Sequence, residues 1–229
     1  MTEKGWVFLE LQGAGDEGPN VGAGDHFKGQ KLSSLVRELV QNSIDAAVNE
    51  DKVVKVAMNI KTVKAEIFNG FHGIWPHVEA CYEHQKKTST TNRSWESRWK
   101  SALDDYKKNE DVSILCFHDS NTKGLYGPID GKEEGAFYAL KGQGISDKQN
   151  QGSGGSYGHG AVSALLYSAI RCVFYYSKVN EEPRERFFGK IILQTHHHPT
   201  KEKNPKTRAH GYYGYNNENI SPLTDKDIP

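Results

Sequence analysis

The sequence predicts a single α/β domain, and three observations support this prediction. The chain has 229 residues, a length that suits one large domain or one domain with an insertion. Hydrophobic residues make up 36% and charged residues 25% of the chain, a polar composition that still allows a packed core. Short apolar or alternating segments, which suit strands, are interleaved with longer segments that suit helices. We therefore expect residues 1–229 to form one domain.

Charge, hydropathy and cysteine content exclude several classes of protein. The 29 basic and 29 acidic residues cancel, which excludes a strongly basic nucleic-acid arm or an acidic tail. The longest apolar tract, 161–170, is too short to span a bilayer, and the first residues do not resemble a secretory signal. Cys81, Cys116 and Cys172 lack the spacing of a zinc site or a disulfide framework. We expect free, semi-buried thiols in a reducing cytoplasm and no association with a membrane.

The first half of the predicted domain begins with a strand at 5–11. Six glycines and a proline then mark residues 12–29 as a long loop. A helix is predicted over 35–48, because this segment contains neither glycine nor proline, and Ser33 precedes it as a candidate cap. Apolar residues alternate over 52–61, which predicts a half-buried strand.

The middle of the chain departs from this alternation. Residues 69–110 contain three tryptophans, several histidines and many charges, and we interpret them as an insertion with a helix around 95–107. A short apolar strand is predicted at 112–118, ending abruptly at Asp119.

The second half is dominated by glycine. Nine glycines fall within 122–155, a stretch that is too long for an ordinary connection and is typical of a functional lid or a disordered segment. A helix is predicted over 161–170, followed by strands at 171–177 and 187–195. The polar tail after His196 is predicted to be a loop.

The first candidate site lies on the predicted helix. Glu38, Asn42 and Asp45 are four and three residues apart, so they share one face of the helix. A carboxylate beside a carboxamide oxygen suits Mg²⁺, which keeps several waters that the carboxylate is able to orient or deprotonate. The alternative is a solvated helix face without a ligand.

The second candidate site is the turn at 119–125, directly after the buried strand. The carboxylate of Asp119 is suited to accept a hydrogen bond from an exocyclic amine, and Gly124 permits close approach of a ligand. An ordinary Asx turn is the alternative.

The third candidate site is 154–162, where glycines lead directly into a helix. Backbone N–H groups in such a segment bind phosphate, although the P-loop and dinucleotide-binding motifs are both absent. The same residues match G-x-S-x-G with Ser156 as a nucleophile. A nucleophile elbow needs a buried strand before it, however, and 142–153 is polar and rich in glycine.

Histidines and a basic cluster supply further candidates. His196, His197 and His198 with His210 suggest a metal site, but a solvated strand end is the simpler interpretation. His72, His77 and His84 lack the spacing of a helical metal pair. A last set combines cations with aromatic rings and predicts either a packed helix with a charged outer face or a contact with nucleic acid or a partner: Lys86, Lys87, Arg93, Trp95, Arg98, Trp99 and Lys100.

In this order, the three candidate sites resemble the boxes of the GHKL superfamily of ATPases, which includes gyrase B subunits, MutL and MORC proteins, heat-shock chaperones and histidine kinases. Residues 38–46 resemble the N-box, 119–124 the D-x-G-x-G box and 155–160 the G-x-x-G-x-G box. The resemblance implies a Bergerat-type two-layer α/β sandwich: a mixed, largely antiparallel sheet with helices on one face. It also implies ATP held with Mg²⁺ under a mobile lid, here 126–154.

The resemblance assigns a role to individual residues. Glu38 is similar to the residue that activates the attacking water, Asn42 to the Mg²⁺ ligand, Asp45 to a residue that supports the pocket, and Asp119 to the carboxylate that binds the adenine amine. The remaining nucleotide-binding positions are Asn121, Gly124, Gly155, Ser156, Tyr157, Gly158, His159 and Gly160. Asn121 replaces the middle glycine of the second box, with one extra residue before Gly124, and 69–110 lengthens the usual spacing between the boxes.

The function implied by the resemblance is Mg²⁺-dependent ATP binding and hydrolysis, driving lid closure and dimerisation of a larger protein. Its relatives imply that this chain is the N-terminal part, followed by a domain that contacts the terminal phosphate. The alternative is a nucleotide-sensing interaction module that binds ATP without turnover. The residues do not choose between DNA transactions and anti-phage defence as the process served.

Overall fold

A computed structural model describes most of the chain. It describes residues 3–13, 15–18, 31–49, 51–69, 73–88, 94–108, 110–129, 136–141, 159–179, 184–217 and 219–229. The helices in these residues are α1 (Lys31–Asp45), α2 (Ala65–Asn69), α3 (Ile74–Thr88), α4 (Ser94–Lys108), α5 (Ala136–Lys141) and α6 (His159–Tyr167). The strands are β1 (Glu3–Glu10), β2 (Lys55–Lys64), β3 (Asp111–Ser120), β4 (Cys172–Lys178), β5 (Glu185–Ile192), β6 (His196–His197), β7 (Lys206–Asn216), β8 (Ile220–Ser221) and β9 (Leu223–Thr224).

The strands form one large antiparallel sheet and a separate pair. The large sheet has the order β1-β7-β5-β4, with β6 and β8 paired to β7 and β9 paired to β5. The pair consists of β2 and β3, antiparallel from Lys55 opposite Ser120 to Lys64 opposite Asp111. The fold is therefore mixed α/β with a large antiparallel sheet, which confirms the predicted class.

The strand β7 corrects the prediction that the tail is a loop. It lies between β1 and β5 and is the longest strand described. Its glycines make the segment look like a loop, but they are needed for packing. A Cβ atom on Gly211 would overlap the ring of Phe8, and one on Gly214 would overlap the carbonyl of Ser221. The glycines that make this segment look unlike a strand are therefore the residues that allow neighbouring parts of the sheet to pack closely.

The insertion at 69–110 folds into helices that cover one face of the large sheet. The predicted helix at 95–107 is confirmed as α4, whereas α3 was not predicted. The two helices pack against each other and share one core with the sheet: Phe8, Ile74, Val78, Cys81, Trp99, Leu103, Ile170, Ile191 and Leu193. The insertion therefore supplies about half of the buried residues of this core.

The opposite face of the sheet packs against α5, a helix in the glycine-rich stretch that was not predicted. Leu140 lies on a core made of Phe188, Tyr212 and Ile220. Since successive side chains of a strand alternate between faces, Phe188 and Ile191 of β5 mark opposite sides of the sheet. The helices lie on both faces, so the expected single helical layer is not confirmed.

Smaller boundaries also differ from the expectations. The helix α1 begins at Lys31, so Ser33 lies inside it and is not its cap. The predicted strands at 5–11, 52–61, 112–118, 171–177 and 187–195 are all present with shifted ends. The second of them, β2, is almost entirely exposed and not half-buried as predicted, because among the described strands it pairs only with β3. The cysteines are free, as expected, and Cys81 is buried. Among the described residues, the search for a helix long and apolar enough to cross a membrane finds none.

Candidate functional site

The first and second candidate sites meet where α1 packs against the end of β3. Ser43 of α1 is only 1% exposed, and its Oγ lies 2.7 Å from Asp119 Oδ2 and 3.0 Å from the carbonyl oxygen of Leu39. A hydroxyl has one proton to donate. Because the carboxylate is both the nearer and the stronger acceptor, Ser43 donates its hydrogen bond to Asp119.

Backbone hydrogen bonds fasten the same junction. The N–H of Val48 donates to the carbonyl of Asn121 at 3.2 Å, and the N–H of Lys123 donates to the carbonyl of Ala46 at 2.8 Å. These bonds tie the residues after α1 to the turn after β3. The two segments are thus held in register by the main chain, independently of their side chains.

The turn after β3 requires two residues with positive φ. Asn121 has φ 64° and Gly124 has φ 65°. Asparagine tolerates this region better than most residues other than glycine, which explains physically how Asn121 stands where the family pattern has glycine. Its side-chain amide also donates to the carbonyl of Val53 at 2.8 Å. At Gly124, a Cβ atom would lie 2.6 Å from Ser177 Oγ, so the turn packs closely on β4.

Among the described residues, the carboxylate of Asp119 accepts fewer hydrogen bonds than it is able to accept. It lies within β3, and not after it as predicted, and it is half-buried. Its Oδ2 accepts from Ser43, and its Oδ1 accepts from the hydroxyl of Thr122 at 3.1 Å. Since each carboxylate oxygen accepts about two hydrogen bonds, each keeps capacity for a donor from a ligand.

The predicted stripe on α1 is largely open to solvent. Asn42 is exposed, and Glu38 and Asp45 are half-buried, so these side chains are accessible to a metal ion or a water. Asp45 Oδ1 accepts from Gln41 Nε2 at 2.6 Å. The buried polar residue of the helix is Ser43, which sequence reasoning missed.

A signal for Ser43 was present in the sequence. Leu35, Leu39 and Ser43 are spaced four apart and therefore share a stripe of the helix. A lone hydroxyl in an apolar stripe needs a buried acceptor, and Asp119 is that acceptor.

The third candidate site is described only at its end. Gly155, Ser156, Tyr157 and Gly158 lie outside the described residues, as does most of the expected lid. His159 and Gly160 form the first turn of α6, two residues earlier than the helix predicted from 161. This helix packs against α1, and in the sequence it follows the glycine-rich segment directly.

Two of the histidines meet in the core between α3 and the sheet. His77 Nδ1 lies 2.6 Å from His196 Nε2, and His196 Nδ1 lies 2.7 Å from the carbonyl oxygen of Gln194. A carbonyl only accepts, so His196 carries its proton on Nδ1 and accepts from His77. Burial lowers the pKa of His77 to about 2 and that of His196 to about 4, so both rings are neutral near pH 7.

The solvated strand end predicted for the histidines is wrong, because His196 is fully buried. The described residues contain no group of three or more histidine, cysteine, aspartate or glutamate side chains that suits a metal ion. We interpret the histidine pair as a structural contact.

Gln194 extends this buried network. Its Oε1 accepts from Gln85 Nε2 at 2.8 Å and from the indole N–H of Trp99 at 3.4 Å, while its own amide donates to the carbonyl of Cys81 at 3.0 Å. Every contact joins the insertion to the segment after β5. The network therefore fixes the insertion to the sheet and leaves little capacity for a ligand.

Comparisons of the chain with protein-family models, with curated proteins and with solved structures find no match in any of the three. The functional argument therefore rests on the three motifs and on the geometry of the α1–β3 junction.

Proposed function

We propose that this chain binds ATP with Mg²⁺ and hydrolyses it, as the resemblance to GHKL ATPases implies. The main support is the hydrogen bond between Ser43 and Asp119, which joins the first two motifs although the whole insertion separates them in sequence. A carboxylate held by a helix and still able to accept a hydrogen bond is suited to bind the adenine amine. An Asx turn or a solvated helix face alone would not require this contact.

The residues of α1 would serve the other end of the nucleotide. The carboxamide oxygen of Asn42 is exposed and is a ligand that Mg²⁺ accepts. The ion, when bound, would offset the negative charge of the phosphates. Glu38 lies one helical turn away on the same face, where its carboxylate would orient a water and accept its proton. Asp45, which accepts from Gln41, would support the pocket.

One shared core is compatible with a Bergerat-type arrangement of the strands. Val112 and Ile114 of β3 pack on the same core as Cys172 and Phe174 of β4. The turn at Gly124, which follows β3, packs on Ser177 of β4. In the structure, β2 and β3 form a pair separate from the large sheet, so the mixed sheet of a two-layer sandwich stays a prediction.

The expected lid has one fixed part. Lys190 Nζ donates to the carbonyl of Leu140 at 2.5 Å, and the hydroxyl of Tyr212 donates to the carbonyl of Lys141 at 2.8 Å. These bonds attach α5 to the sheet. The part of the expected lid at 136–141 is therefore attached to the sheet, and we expect it to stay in place when nucleotide binds.

Calorimetric titration of the chain with ATP, with and without Mg²⁺, tests the proposal. We expect binding that Mg²⁺ strengthens, and we expect Asn42→Ala to remove most of this Mg²⁺-dependent part. The matched control is Asn59→Ala, which removes an equally exposed carboxamide from β2. The proposal fails if millimolar ATP does not bind, and the metal assignment fails if Mg²⁺ makes no difference. Binding without single-turnover hydrolysis would leave the nucleotide-sensing module as the function.

A further inference from the structure

Two arginines converge on one indole ring where the insertion meets the turn between α6 and β4. The guanidinium carbon of Arg171 lies 4.6 Å from the ring centroid of Trp95, and that of Arg98 lies 5.2 Å from it. Arg98 and Trp95 belong to α4, whereas Arg171 directly precedes β4. Trp95 and Arg98 belong to the cationic and aromatic set noted in the sequence, whereas Arg171 does not, and the proposed nucleotide site uses none of the three.

Arg98 is held in place and keeps donors to spare. Its Nε donates to the carbonyl of Ala169 and its Nη2 to the carbonyl of Ser168, both at 2.9 Å. These bonds cover the carbonyls that follow α6. Within the described part of the chain, its Nη1 makes no hydrogen bond.

Arg171 is buried without an acceptor. The residue is 7% exposed, and its Nε and Nη1 are buried with no hydrogen-bond partner. No described carboxylate lies within ion-pair distance of either guanidinium. A ring face attracts a cation, but it does not replace the acceptors that buried N–H groups need. Such donors often mark the position of an ion.

The backbone fixes Arg171 in this place. Its φ is 53°, a conformation that costs energy in a residue with a side chain. Its N–H donates to the carbonyl of Ser168 and its own carbonyl accepts from Ile192, both at 3.1 Å. Burial and the neighbouring Arg98 lower the pKa of Arg171 to about 10. The fold therefore holds two like charges together without a compensating group among the described residues.

We propose that Arg98 and Arg171 form a binding site for a small phosphate-type oxyanion, which enters past Trp95. Guanidinium groups offer paired donors that match the oxygens of phosphate. Trp95 is half-buried and its ring lies on the guanidinium of Arg171, so displacement of this side chain would uncover that side of the guanidinium. A small anion fits better than a nucleic-acid strand, because the unpartnered Nε and Nη1 of Arg171 are buried.

This site is separate from the proposed nucleotide site. The helix α6 has nine residues, which corresponds to a length of about 13 Å. Its N-terminus follows the third motif, while the arginines lie beyond its C-terminus. One ATP phosphate group is therefore not expected to reach both places.

Titration of the full chain with inorganic phosphate tests the site, with chloride used to keep the ionic strength constant. Tryptophan fluorescence and calorimetry would detect binding. We expect saturable binding that is weakened at least about tenfold, equivalent to ~1.4 kcal/mol, by Arg98→Gln and by Arg171→Lys. The control Lys100→Ala removes one exposed cation from the same helix and should change the affinity less than about twofold.

Three outcomes would overturn the proposal. They are the absence of saturable binding, equal binding by the parent and the Arg98→Gln variant, and binding of a single-stranded oligonucleotide in place of phosphate with the same dependence on Arg98. Circular dichroism would verify folding, and Arg98→Gln decides the test if the Arg171 variant does not fold. Phosphate that stays bound at saturating Mg·ATP confirms that the sites are separate. Phosphate binding by a chain that fails to bind ATP would support this site and refute only the proposed function.

Discussion

The two junctions that organise this molecule differ in how completely their polar groups are satisfied. At the α1–β3 junction, Asp119 is half-buried and keeps hydrogen-bonding capacity, and Asn42 is exposed. At the junction between α3 and the sheet, His77, His196 and Gln194 are buried and hydrogen-bonded to one another and to the backbone. Both are polar contacts between a helix and strands, yet only the first has spare capacity for a ligand.

The hydrogen-bonding capacity that a junction keeps is a better guide to ligand binding than the types of its residues. Histidines at the second junction look like candidate ligands in the sequence, but burial keeps them neutral, and His77 Nδ1 and both nitrogens of His196 are engaged. Carboxylate and carboxamide groups at the first junction remain available to solvent. We therefore expect changes at the α1–β3 junction to affect nucleotide chemistry, and changes at the second junction to affect folding.

The largest expected effect is on turnover at the α1–β3 junction. Glu38→Gln keeps the size and hydrogen-bonding ability of the side chain but removes its basicity. We expect single-turnover hydrolysis to slow by about 10²–10⁴-fold, equivalent to about 2.7–5.4 kcal/mol, which is the usual contribution of a general base. ATP affinity should stay within a few-fold of the parent chain.

The control for this prediction is Glu66→Gln, on an exposed residue of α2. Hydrolysis at the parental rate by Glu38→Gln would remove Glu38 from the mechanism, and loss of ATP binding would reassign it to pocket structure.

The second junction should respond in stability. Trp99 of α4 is fully buried against α3 and Gln194. We therefore expect Trp99→Ala to lower the free energy of unfolding by about 3–5 kcal/mol. Urea denaturation measures this loss. Val112 and Ile114 of β3 face the core that contains Trp99, whereas Asp119 lies on the other face of β3 because successive side chains alternate. The folded fraction of the variant should therefore bind ATP normally.

An exposed apolar residue supplies the control. Ile67→Ala on α2 should change the free energy of unfolding by less than about 0.5 kcal/mol. A Trp99→Ala variant as stable as the parent chain would contradict the packing described, and a folded variant without nucleotide binding would show that the junctions are coupled.

The histidine pair predicts a loss of stability in acid. Folding lowers the pKa of His77 to about 2 and that of His196 to about 4, chiefly through burial, whereas both are near 6.5 in the unfolded chain. The unfolded chain therefore binds more protons below pH 6.5, and stability present above that pH is lost as the pH falls toward 4. Between pH 7 and pH 5 we expect a loss of about 1–2 kcal/mol for each histidine.

Urea denaturation at several pH values checks this prediction. His77→Gln keeps a hydrogen-bond donor but does not titrate, so it should remove about 1–2 kcal/mol of the loss between pH 7 and pH 5. His118→Gln, at an exposed position of β3, is the control. An unchanged pH dependence in the His77 variant would show that the buried pair is not its source.

Local spacing explains what the sequence could predict. Residues three and four apart on one helix share a face whatever surrounds them, so the stripe of Glu38, Asn42 and Asp45 follows from the sequence. The strands predicted from apolar or alternating runs are present because that pattern is also local in the sequence. In contrast, β7 depends on the packing of Gly211 against Phe8, which is some two hundred residues distant in the chain.

Long-range contacts also decide two features that the sequence does not predict. The sequence indicates Asp119 as a candidate, but its partner Ser43 is 76 residues away in sequence. His77 and His196 are 119 residues apart. Spacing along the chain gives no signal for such pairs, and only a polar residue in an apolar stripe hints that a partner exists.

The smallest expected effect is at Ser43, and it tests the contact that supports the proposed function. Ser43→Ala removes the donor to Asp119 without adding volume. Loss of a hydrogen bond to a charged group costs about 1.5–3 kcal/mol. Asp119 is only half-buried, so water replaces the lost hydroxyl in part, and we expect the free energy of unfolding to fall by about 1 kcal/mol. ATP affinity should fall by about three- to tenfold, since a less firmly held carboxylate binds the adenine amine less well. Ser113→Ala, at an exposed position of the same strand, should change neither quantity. If Ser43→Ala lowers stability but leaves ATP affinity unchanged, the Ser43–Asp119 contact is structural and the α1–β3 junction resembles the buried one more than we propose.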